Sequence, residues 1–395
     1  MPEGRSVQQD KITVIVPVFN MASDQRLSTC LDSLVHQTYE NLEILAVDDC
    51  STDESGEILR DYAARYPGRV TALKTEQNHH QGGAKNVGLA HATGDWIAFI
   101  DADDWVVPDY FERLRGKAAE TGADCVGTDY SLVSTHTMTP GKQVANNHPE
   151  QTGELTLEKK RSLMLDFGSL CVKLYRREII LDCPSRFPED IFYEDNALAK
   201  TWVFRMHHFE YIPEPLYFYY QHADSTVHTV TRQRLEDRKI AAEIMLSEAV
   251  KYEYFFTFRE EIEYAYTVLY YKNTLFSCLQ GRREKGTYAF VTALALKMRR
   301  TFPKFQENPY YLERTDAEEK KLIAMQQRSP RAFYLYYRLL WCYRHLRYGK
   351  RSSGGICFFT RPAGVRPGRV HGMMKAFRWR SLHGLSAKRG AHMKS

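Results

Sequence analysis

Acidic residues are absent from the C-terminal part of the chain, which holds none after Glu319. Residues 320–395 carry 18 Lys and Arg, whereas residues 1–319 carry 36 basic and 49 acidic residues. The formal charge of +5 therefore divides into −13 for the first part and +18 for the tail. A charge division of this size predicts an anionic partner for the tail, such as a phospholipid surface or a nucleic acid.

The eight cysteines are spread singly along the 395 residues, and none belongs to a Cys-x-x-Cys motif. This spacing argues against both a zinc ribbon and a disulfide framework. The sequence has no run of about eighteen apolar residues, so it predicts no transmembrane helix. The polar N-terminus, Met1–Arg5, lacks the character of a signal peptide, and these absences together predict a protein of the reducing cytoplasm.

Apolar strands and amphipathic helices alternate over residues 11–128. The predicted strands are Lys11–Val16, Glu43–Val47, Val70–Leu73, Trp96–Ile100 and Asp124–Thr128, and a helical pattern separates each from the next. This alternation predicts an α/β domain with a mostly parallel, doubly wound sheet. Farther along, Leu235–Leu279 contains few Gly or Pro and predicts two or more amphipathic helices.

Polar residues directly follow three of these strands, in the segments Pro17–Asn20, Asp48–Ser51 and Asp101–Asp104. Ligands of doubly wound sheets bind at the carboxyl ends of strands, so the three segments predict one binding rim. Asp101–Asp104 places three carboxylates on one turn, and a divalent metal would neutralise their mutual repulsion. Taken alone, the same segment also fits an acidic surface turn that precedes a helix.

Five short motifs, in their order and spacing, resemble the family 2 glycosyltransferases. They are Val14–Asn20, Val47–Asp53, Gly82–Gly88, Phe99–Asp104 and Tyr193–Asp195. The resemblance implies a GT-A nucleotide-sugar-binding domain that uses a UDP-sugar donor with Mn²⁺ or Mg²⁺. It also implies inverting transfer to a hydroxyl of a glycan or lipid-linked acceptor in bacterial cell-surface polysaccharide synthesis. The Gln-x-x-Arg-Trp motif of processive synthases is absent, which predicts a non-processive enzyme.

The resemblance implies donor-binding roles for four residues that follow or end the first two strands: Pro17, Phe19, Asn20 and Asp49. Phe19 would stack against the nucleobase, as aromatic side chains do in many nucleotide sites. Asp49 would accept a hydrogen bond from the base edge, which suits the N3–H group of uracil. Pro17 and Asn20 would contribute to the same nucleotide-sugar site.

Five further residues are expected to bind the ribose, the diphosphate or its metal. The resemblance places Asp101 near the ribose and assigns the metal to Asp103. His222 would be a third metal ligand or a contact to the diphosphate, and Ser225 would contact phosphate. Lys85 stands where many relatives have Arg, and it would offer phosphate a point charge without the bidentate fork. A structural histidine at position 222 and a solvated helix lysine at position 85 are the alternatives.

Glu194-Asp195 matches the family position that supplies the general base. Inverting transfer needs a carboxylate within hydrogen-bond reach of the acceptor hydroxyl. We expect Asp195 to be this base and Glu194 to orient the acceptor. Acidic residues are also favoured at helix N-termini, and Asn196–Ala199 has helical character, so a purely structural role is the alternative.

The chain is divided here into a catalytic domain (1–232), a helical domain (233–330) and a basic aromatic tail (331–395) that is expected to be partly disordered. Arg331–Tyr348 combines aromatic and basic residues, a composition that fits an interfacial anchor on anionic membrane. This predicts peripheral attachment to the inner face of the plasma membrane. A helix packed on the catalytic domain and nonspecific nucleic-acid binding are the alternatives, and no motif for specific nucleic-acid binding is present.

Two other functions fit parts of the sequence. A sugar-nucleotide pyrophosphorylase has a similar α/β sheet, but it needs a glycine- and arginine-rich phosphate loop where Pro17–Asn20 stands. A catalytically silent scaffold could bind membrane or nucleic acid through the tail. The intact set of acids argues against the scaffold.

Overall fold

A computed structural model describes residues 10–222, 230–280 and 286–348. The first part is α/β, and its elements are β1 (Ile12–Val18), α1 (Arg26–Val35), β2 (Leu42–Asp48), α2 (Ser55–Arg65), β3 (Val70–Lys74), α3 (His80–His91), β4 (Trp96–Phe99), β5 (Trp105–Val106), α4 (Tyr110–Thr121), β6 (Cys125–Val133), β7 (Lys142–Val144), β8 (Gly153–Glu154), α5 (Leu157–Leu165), β9 (Lys173–Arg176), α6 (Arg177–Leu181), α7 (Glu194–Arg205) and β10 (His208–Tyr220). The second part is helical, and its elements are α8 (Arg232–Lys251), α9 (Arg259–Tyr266), a π-helical segment (Thr267–Asn273), α10 (Thr274–Gln280), α11 (Thr287–Thr301), α12 (Pro309–Arg314), α13 (Ala317–Arg328) and α14 (Pro330–Tyr348).

Within these described residues, one ten-stranded sheet has the order β3-β2-β1-β4-β9-β6-β10-β5, with β7 beside β6 and β8 beside β10. Strands β3, β2, β1 and β4 are parallel to one another, and β10 is parallel to β6. Strand β9 runs antiparallel to both β4 and β6. The predicted mostly parallel α/β fold followed by helices is confirmed, and the five predicted strands are β1, β2, β3, β4 and β6.

The strand order brings three strand ends together, because β1 lies between β2 and β4. Every residue of β1 is buried, which explains why its sequence is a continuous apolar run rather than an alternating pattern. The loops that follow β1, β2 and β4 therefore leave the sheet side by side. Together these loops form one rim, at the carboxyl ends of the three neighbouring strands.

Glycines allow α3 to lie close to two neighbouring segments. A Cβ atom at Gly88 would approach Cγ2 of Ile15 to 2.5 Å, so the helix packs directly on β1. A Cβ atom at Gly82 would approach the carbonyl oxygen of Pro188 to 2.1 Å. The start of α3 is therefore pressed against the loop that leads into α7.

Two hydrophobic cores meet at α7. The first core lies around the sheet and includes Leu198 and Trp202 of this helix. The second core lies among α8–α14 and includes Ala197 of the same helix, together with Ile191 from the preceding loop. Helix α7 is thus packed from both sides. The boundaries drawn at residues 232 and 330 stay predictions.

The aromatic stretch of the tail forms α14. Phe333 is fully buried in the second core and packs on Tyr337, with ring centroids 5.4 Å apart. Leu335, Tyr336 and Leu339 are exposed on the same helix. The first turns of α14 are therefore packed on the helical part. The predicted disorder of the tail falls on residues 349–395, which lie outside the described residues.

Of the helices in the described ranges, none combines the length and the apolar character that crossing a bilayer requires.

Candidate active site

Asp49 is held at the end of β2 by donors from the loop that follows β3. Its carboxylate accepts hydrogen bonds from the His79 backbone N–H, at 2.9 and 3.2 Å, and from the Thr75 hydroxyl at 3.0 Å. Oδ1 takes the shorter bonds from both donors, whereas Oδ2 takes only the longer one from His79, so Oδ2 can still accept a further donor. Asp48 instead accepts the Ser51 backbone N–H at 2.8 Å. The two adjacent acids therefore differ, since Asp48 fixes its own turn while Asp49 is oriented with acceptor capacity left.

Hydrogen bonds join the loop after β1 to the loop after β2, and Phe19 stays exposed to solvent. Asn20 has a left-handed backbone (φ 54°), its Oδ1 accepts the Thr52 backbone N–H at 2.8 Å, and its own N–H donates to Ser51 Oγ at 3.0 Å. The Phe19 side chain is 43% exposed. Pro17 is buried within β1, opposite Val47. Among these residues predicted to bind the nucleotide-sugar, Phe19 has an exposed ring. Asn20 instead shapes the loop that carries Phe19.

The three acids after β4 have different environments. Asp104 is buried and accepts hydrogen bonds from the Tyr217 hydroxyl (2.7 Å) and the Tyr220 backbone N–H (2.8 Å), so it anchors the end of β10. Asp101 Oδ2 lies 3.5 Å from Cys171 Sγ, and its Oδ1 is buried without a partner. Loss of solvent raises the pKa of Asp101 to about 6. Buried polar atoms normally have partners, so Oδ1 is an acceptor suited to a ligand hydroxyl.

Asp103 lies next to His222, as the predicted metal pair requires. Asp103 Oδ2 is 2.9 Å from His222 Nε2, and the His222 side chain is only 7% exposed. The other ring nitrogen of His222, Nδ1, is buried without a partner. The described part of the chain contains no cluster of three or more His, Cys, Asp or Glu residues arranged to hold a metal. Ser225 lies outside the described residues.

A carboxylate and an imidazole, with Asp101 on the same turn, suit Mn²⁺ or Mg²⁺ when phosphate oxygens and water supply the remaining ligands. The surrounding charge agrees with this fit, because Asp103 and Glu194 both raise the pKa of Asp101 while Lys85 opposes them. The site is rich in carboxylates, and a cation would offset their repulsion.

Lys85 pairs with Glu194 inside the protein. Its Nζ lies 2.6 Å from Glu194 Oε1, and the two side chains are 2% and 6% exposed. Burial acts to lower the pKa of Lys85, but the charge of Glu194, together with that of Cys171, Asp101 and Asp195, outweighs burial and holds the pKa above its usual range. The alternative of a solvated helix lysine is therefore wrong. Contact of Lys85 with a phosphate stays a prediction.

Asp195 lies beside this pair, in the first turn of α7. Its Oδ1 accepts hydrogen bonds from the Asn196 backbone N–H (2.8 Å) and side-chain amide (2.7 Å). Loss of solvent and the charge of Glu194 raise the pKa of Asp195, and Lys85 opposes them. A carboxylate that only capped the helix would have its pKa lowered by the helix dipole. A raised pKa suits a carboxylate that must take a proton.

Two contacts of this site are not indicated by any local pattern in the sequence. One joins Cys171 to Asp101, and the other joins the His79 imidazole to Asp190 at 2.9 Å. Cys171 belongs to an irregular segment before β9 that has no signature. His79 lies three residues before the Gly82–Gly88 motif, and this position is the signal that could have identified it.

Known proteins resemble this chain in both sequence and fold. The sequence model described as glycosyl transferase family 2 matches residues 13–182. Glycosyltransferase GlyA of Streptococcus pneumoniae is 43% identical over 130 residues, which are 33% of this chain and 18% of GlyA. The uncharacterized glycosyltransferase YibD of Escherichia coli is 31% identical over 220 residues, which are 55% of this chain and 63% of YibD. The chain thus spans less than two thirds of either relative.

Among solved structures, S. aureus TarS 1-349 in complex with UDP-GlcNAc superposes with a TM-score of 0.59 at 19% identity. The superposition covers 85% of this chain and 92% of the TarS chain. The shared architecture therefore includes the helical part as well as the sheet. Residues 13–182 therefore form a glycosyl transferase family 2 domain, and the fold of the protein is GT-A-like.

Proposed function

We propose that the protein is an inverting, non-processive glycosyltransferase that moves a sugar from a UDP-sugar to a hydroxyl of a glycan or lipid-linked acceptor. The reaction would serve bacterial cell-surface polysaccharide synthesis. The observation that carries the proposal is that Asp195, a carboxylate with a raised pKa, and Asp101 of the rim both lie within electrostatic reach of the Lys85 ammonium. The proposed proton acceptor and the rim that would bind the UDP-sugar therefore belong to one site.

Each end of the donor has a matching group on this rim. The exposed ring of Phe19 is available to stack on the base, and Asp49 retains acceptor capacity for the uracil N3–H. The unpartnered Oδ1 of Asp101 can accept a ribose hydroxyl. A divalent cation held by Asp103 and His222 would neutralise the charge that develops on the diphosphate leaving group.

The acceptor hydroxyl would be activated by Asp195. This carboxylate takes the hydroxyl proton while the oxygen attacks the anomeric carbon opposite the departing diphosphate. Lys85 holds Glu194 in place beside Asp195, because its ammonium lies 2.6 Å from the Glu194 carboxylate. Glu194 can then accept a hydrogen bond from the acceptor and orient it.

Binding of UDP tests the donor half of this proposal. Phe19→Ala removes the stacking ring, which contributes about 1–3 kcal/mol, so the Kd for UDP should rise about fivefold to hundredfold. Asp49→Ala removes the acceptor for the base edge and should also weaken the binding of UDP. Titration calorimetry measures both, with Phe256→Ala as the matched control because Phe256 is 84% exposed outside the site.

Tighter binding of GDP than of UDP to the wild-type protein would contradict the uridine assignment. A panel of UDP- and GDP-sugars, scored for hydrolysis and thermal stabilisation, then identifies the donor. Hydrolysis of none of them, combined with no UDP binding, would reject the proposed activity as a whole.

We also propose that the tail attaches the enzyme to the inner face of the plasma membrane. Leu335, Tyr336 and Leu339 are exposed on α14, and the chain from residue 320 onward is basic without an acid. Exposed apolar and aromatic residues next to Lys and Arg are typical of interfacial helices on anionic lipid. This surface is distinct from the face of α14 that buries Phe333.

Vesicle sedimentation tests the attachment. Removal of residues 349–395 takes away 11 of the 18 basic residues and should strongly weaken the salt-sensitive part of binding, at about 1 kcal/mol per Lys or Arg near the surface. Leu339→Glu should weaken the part that persists at high salt. Leu312→Glu is the matched control, because Leu312 is 53% exposed on α12. Equal sedimentation of all four proteins with anionic vesicles would refute the anchor.

A further inference from the structure

His79 connects two parts of the site that lie far apart in the sequence. Its backbone N–H donates to Asp49, at the place proposed for the nucleobase. Its imidazole Nδ1 lies 2.9 Å from Asp190 Oδ1, and its carbonyl oxygen accepts the Asp190 backbone N–H at 3.1 Å. One residue therefore holds the end of β2 on one side and the loop that leads into α7 on the other.

This loop, Pro188–Tyr193, delivers Glu194 and Asp195, and its backbone is constrained. Asp190 and Tyr193 both adopt left-handed conformations, with φ of 61° and 70°, which side chains other than glycine rarely take. Such conformations persist when surrounding contacts determine them. Position 190 is held by both the imidazole and the carbonyl of His79.

Other contacts join the same two segments and give the connection its rigidity. Asn86 of α3 donates to the Phe187 carbonyl at 2.9 Å and to Glu189 at 3.0 Å. The His80 ring packs on Phe192 with centroids 4.6 Å apart. Gly82 brings α3 close to the loop, since a Cβ atom there would lie 2.1 Å from the Pro188 carbonyl oxygen. In this set, the contact of His79 with Asp190 is the pairing of a histidine with a carboxylate, and a histidine can change charge near neutral pH.

We propose that His79 is a positioning residue that couples the nucleobase site at Asp49 to the carboxylates at Glu194 and Asp195, and that it acts in its protonated form. This inference rests on the proposed function. It adds that the geometry of the proton acceptor depends on an ion pair outside the reacting groups.

The charge around the imidazole favours the protonated form. Asp190 and Glu189 face it from the loop, at 2.9 and 3.8 Å, and Asp49 faces it from the end of β2. The hydrogen bond to Asp190 raises the pKa of His79 above the ordinary value of 6.5, against a smaller effect of desolvation. The ion pair between His79 and Asp190 is therefore fully present below pH 6.5, the ordinary pKa of histidine. It is lost as the pH rises through the raised pKa of His79. Activity should have a descending limb on the alkaline side of 6.5.

The test compares His79→Gln, Asp190→Asn and His91→Gln in the full chain. His91 is the matched control because it is an exposed histidine at the other end of α3. Two quantities are measured from about pH 5 to about pH 9: the Kd for UDP and the kcat for hydrolysis of the UDP-sugar that the wild type cleaves fastest.

We expect His79→Gln to change the Kd for UDP less than about twofold, because the backbone N–H that holds Asp49 remains. Its kcat should fall about tenfold or more through misplacement of Asp195, and the alkaline descending limb should disappear. Asp190→Asn should keep that limb but move it to lower pH, since the partner that raises the pKa is neutralised. The side chain of Asp190 is 68% exposed, so this variant is expected to fold.

Wild-type kcat and an unchanged pH profile in both variants would overturn the proposal. Parallel loss of UDP affinity and kcat in His79→Gln would also overturn it, because it would show that the residue only maintains the nucleotide site. A wild-type protein that neither binds UDP nor hydrolyses a UDP-sugar would reject the proposed function itself, and the coupling with it.

Discussion

Replacement of Asp195 by Asn is expected to lower kcat about 10²–10⁴-fold, the range typical for loss of a general base. The amide cannot take a proton from the acceptor. It keeps an Oδ1 atom that can accept the two hydrogen bonds from Asn196. The Kd for UDP should stay near the wild-type value, since the proposed base contacts lie at Phe19 and Asp49.

The stability of the same variant separates a catalytic defect from a folding defect. The pKa of Asp195 is raised in the folded state, so ionising this group costs folding free energy. That cost is absent below the unfolded-state pKa and is fully present once the pH exceeds the raised folded-state pKa. Asp195→Asn removes it, so the thermal midpoint at neutral pH should be equal to or higher than that of the wild type.

Calorimetry with UDP, thermal unfolding and donor turnover together check this prediction. Asp182→Asn is the matched control, because it makes the same exchange at an exposed position after α6. A near-normal kcat in Asp195→Asn would place the base elsewhere. A fall in both the thermal midpoint and kcat would instead favour the structural role at the start of α7.

Chelation by EDTA is expected to abolish turnover, and Mn²⁺ or Mg²⁺ should restore it. Asp103→Asn should lose several kcal/mol of charge stabilisation at the leaving group, because it removes the carboxylate beside His222. Thermal stabilisation by Mn²⁺ together with UDP should also be lost in this variant, which gives a measurement independent of turnover.

Asp61→Asn serves as the control for Asp103, since Asp61 is 63% exposed on α2 and pairs only with a neighbouring arginine in the contacts described. Undiminished turnover in EDTA would remove the metal from the mechanism. Full thermal stabilisation of Asp103→Asn by Mn²⁺ and UDP would remove Asp103 as its ligand.

The central strands could be predicted because burial on both faces makes each one a continuous apolar run. The segment Trp96–Ile100 is the clearest case, since the polar residues of the rim begin directly after it at Asp101. Strand β9 could not be predicted in this way. Its ends are Lys173 and Arg176, and Lys173 is buried only because its ammonium reaches the Ser169 carbonyl at 2.7 Å. A four-residue strand with a basic residue at each end has no apolar signature.

The partnerships within the site were also beyond local sequence patterns. Lys85 and Glu194 are 109 residues apart, and neither lies in a pattern that indicates the other. A lysine on a helix is ordinarily solvated, so the buried pair appears only when α3 and α7 are brought together. The acids of the rim were predictable because they follow strands. Which acid binds, which anchors and which is neutral depends on three-dimensional surroundings.

Helix α7 belongs to the cores of both parts of the protein, and this has a consequence for dissecting the chain. A truncation after β10 would not leave an intact sheet domain. It would expose the side of α7 that carries Ala197, and it would remove the helical residues that pack on Ile191. The smallest fragment able to retain turnover would have to continue into the helices, and loss of activity on truncation there would report a broken core rather than a missing catalytic group.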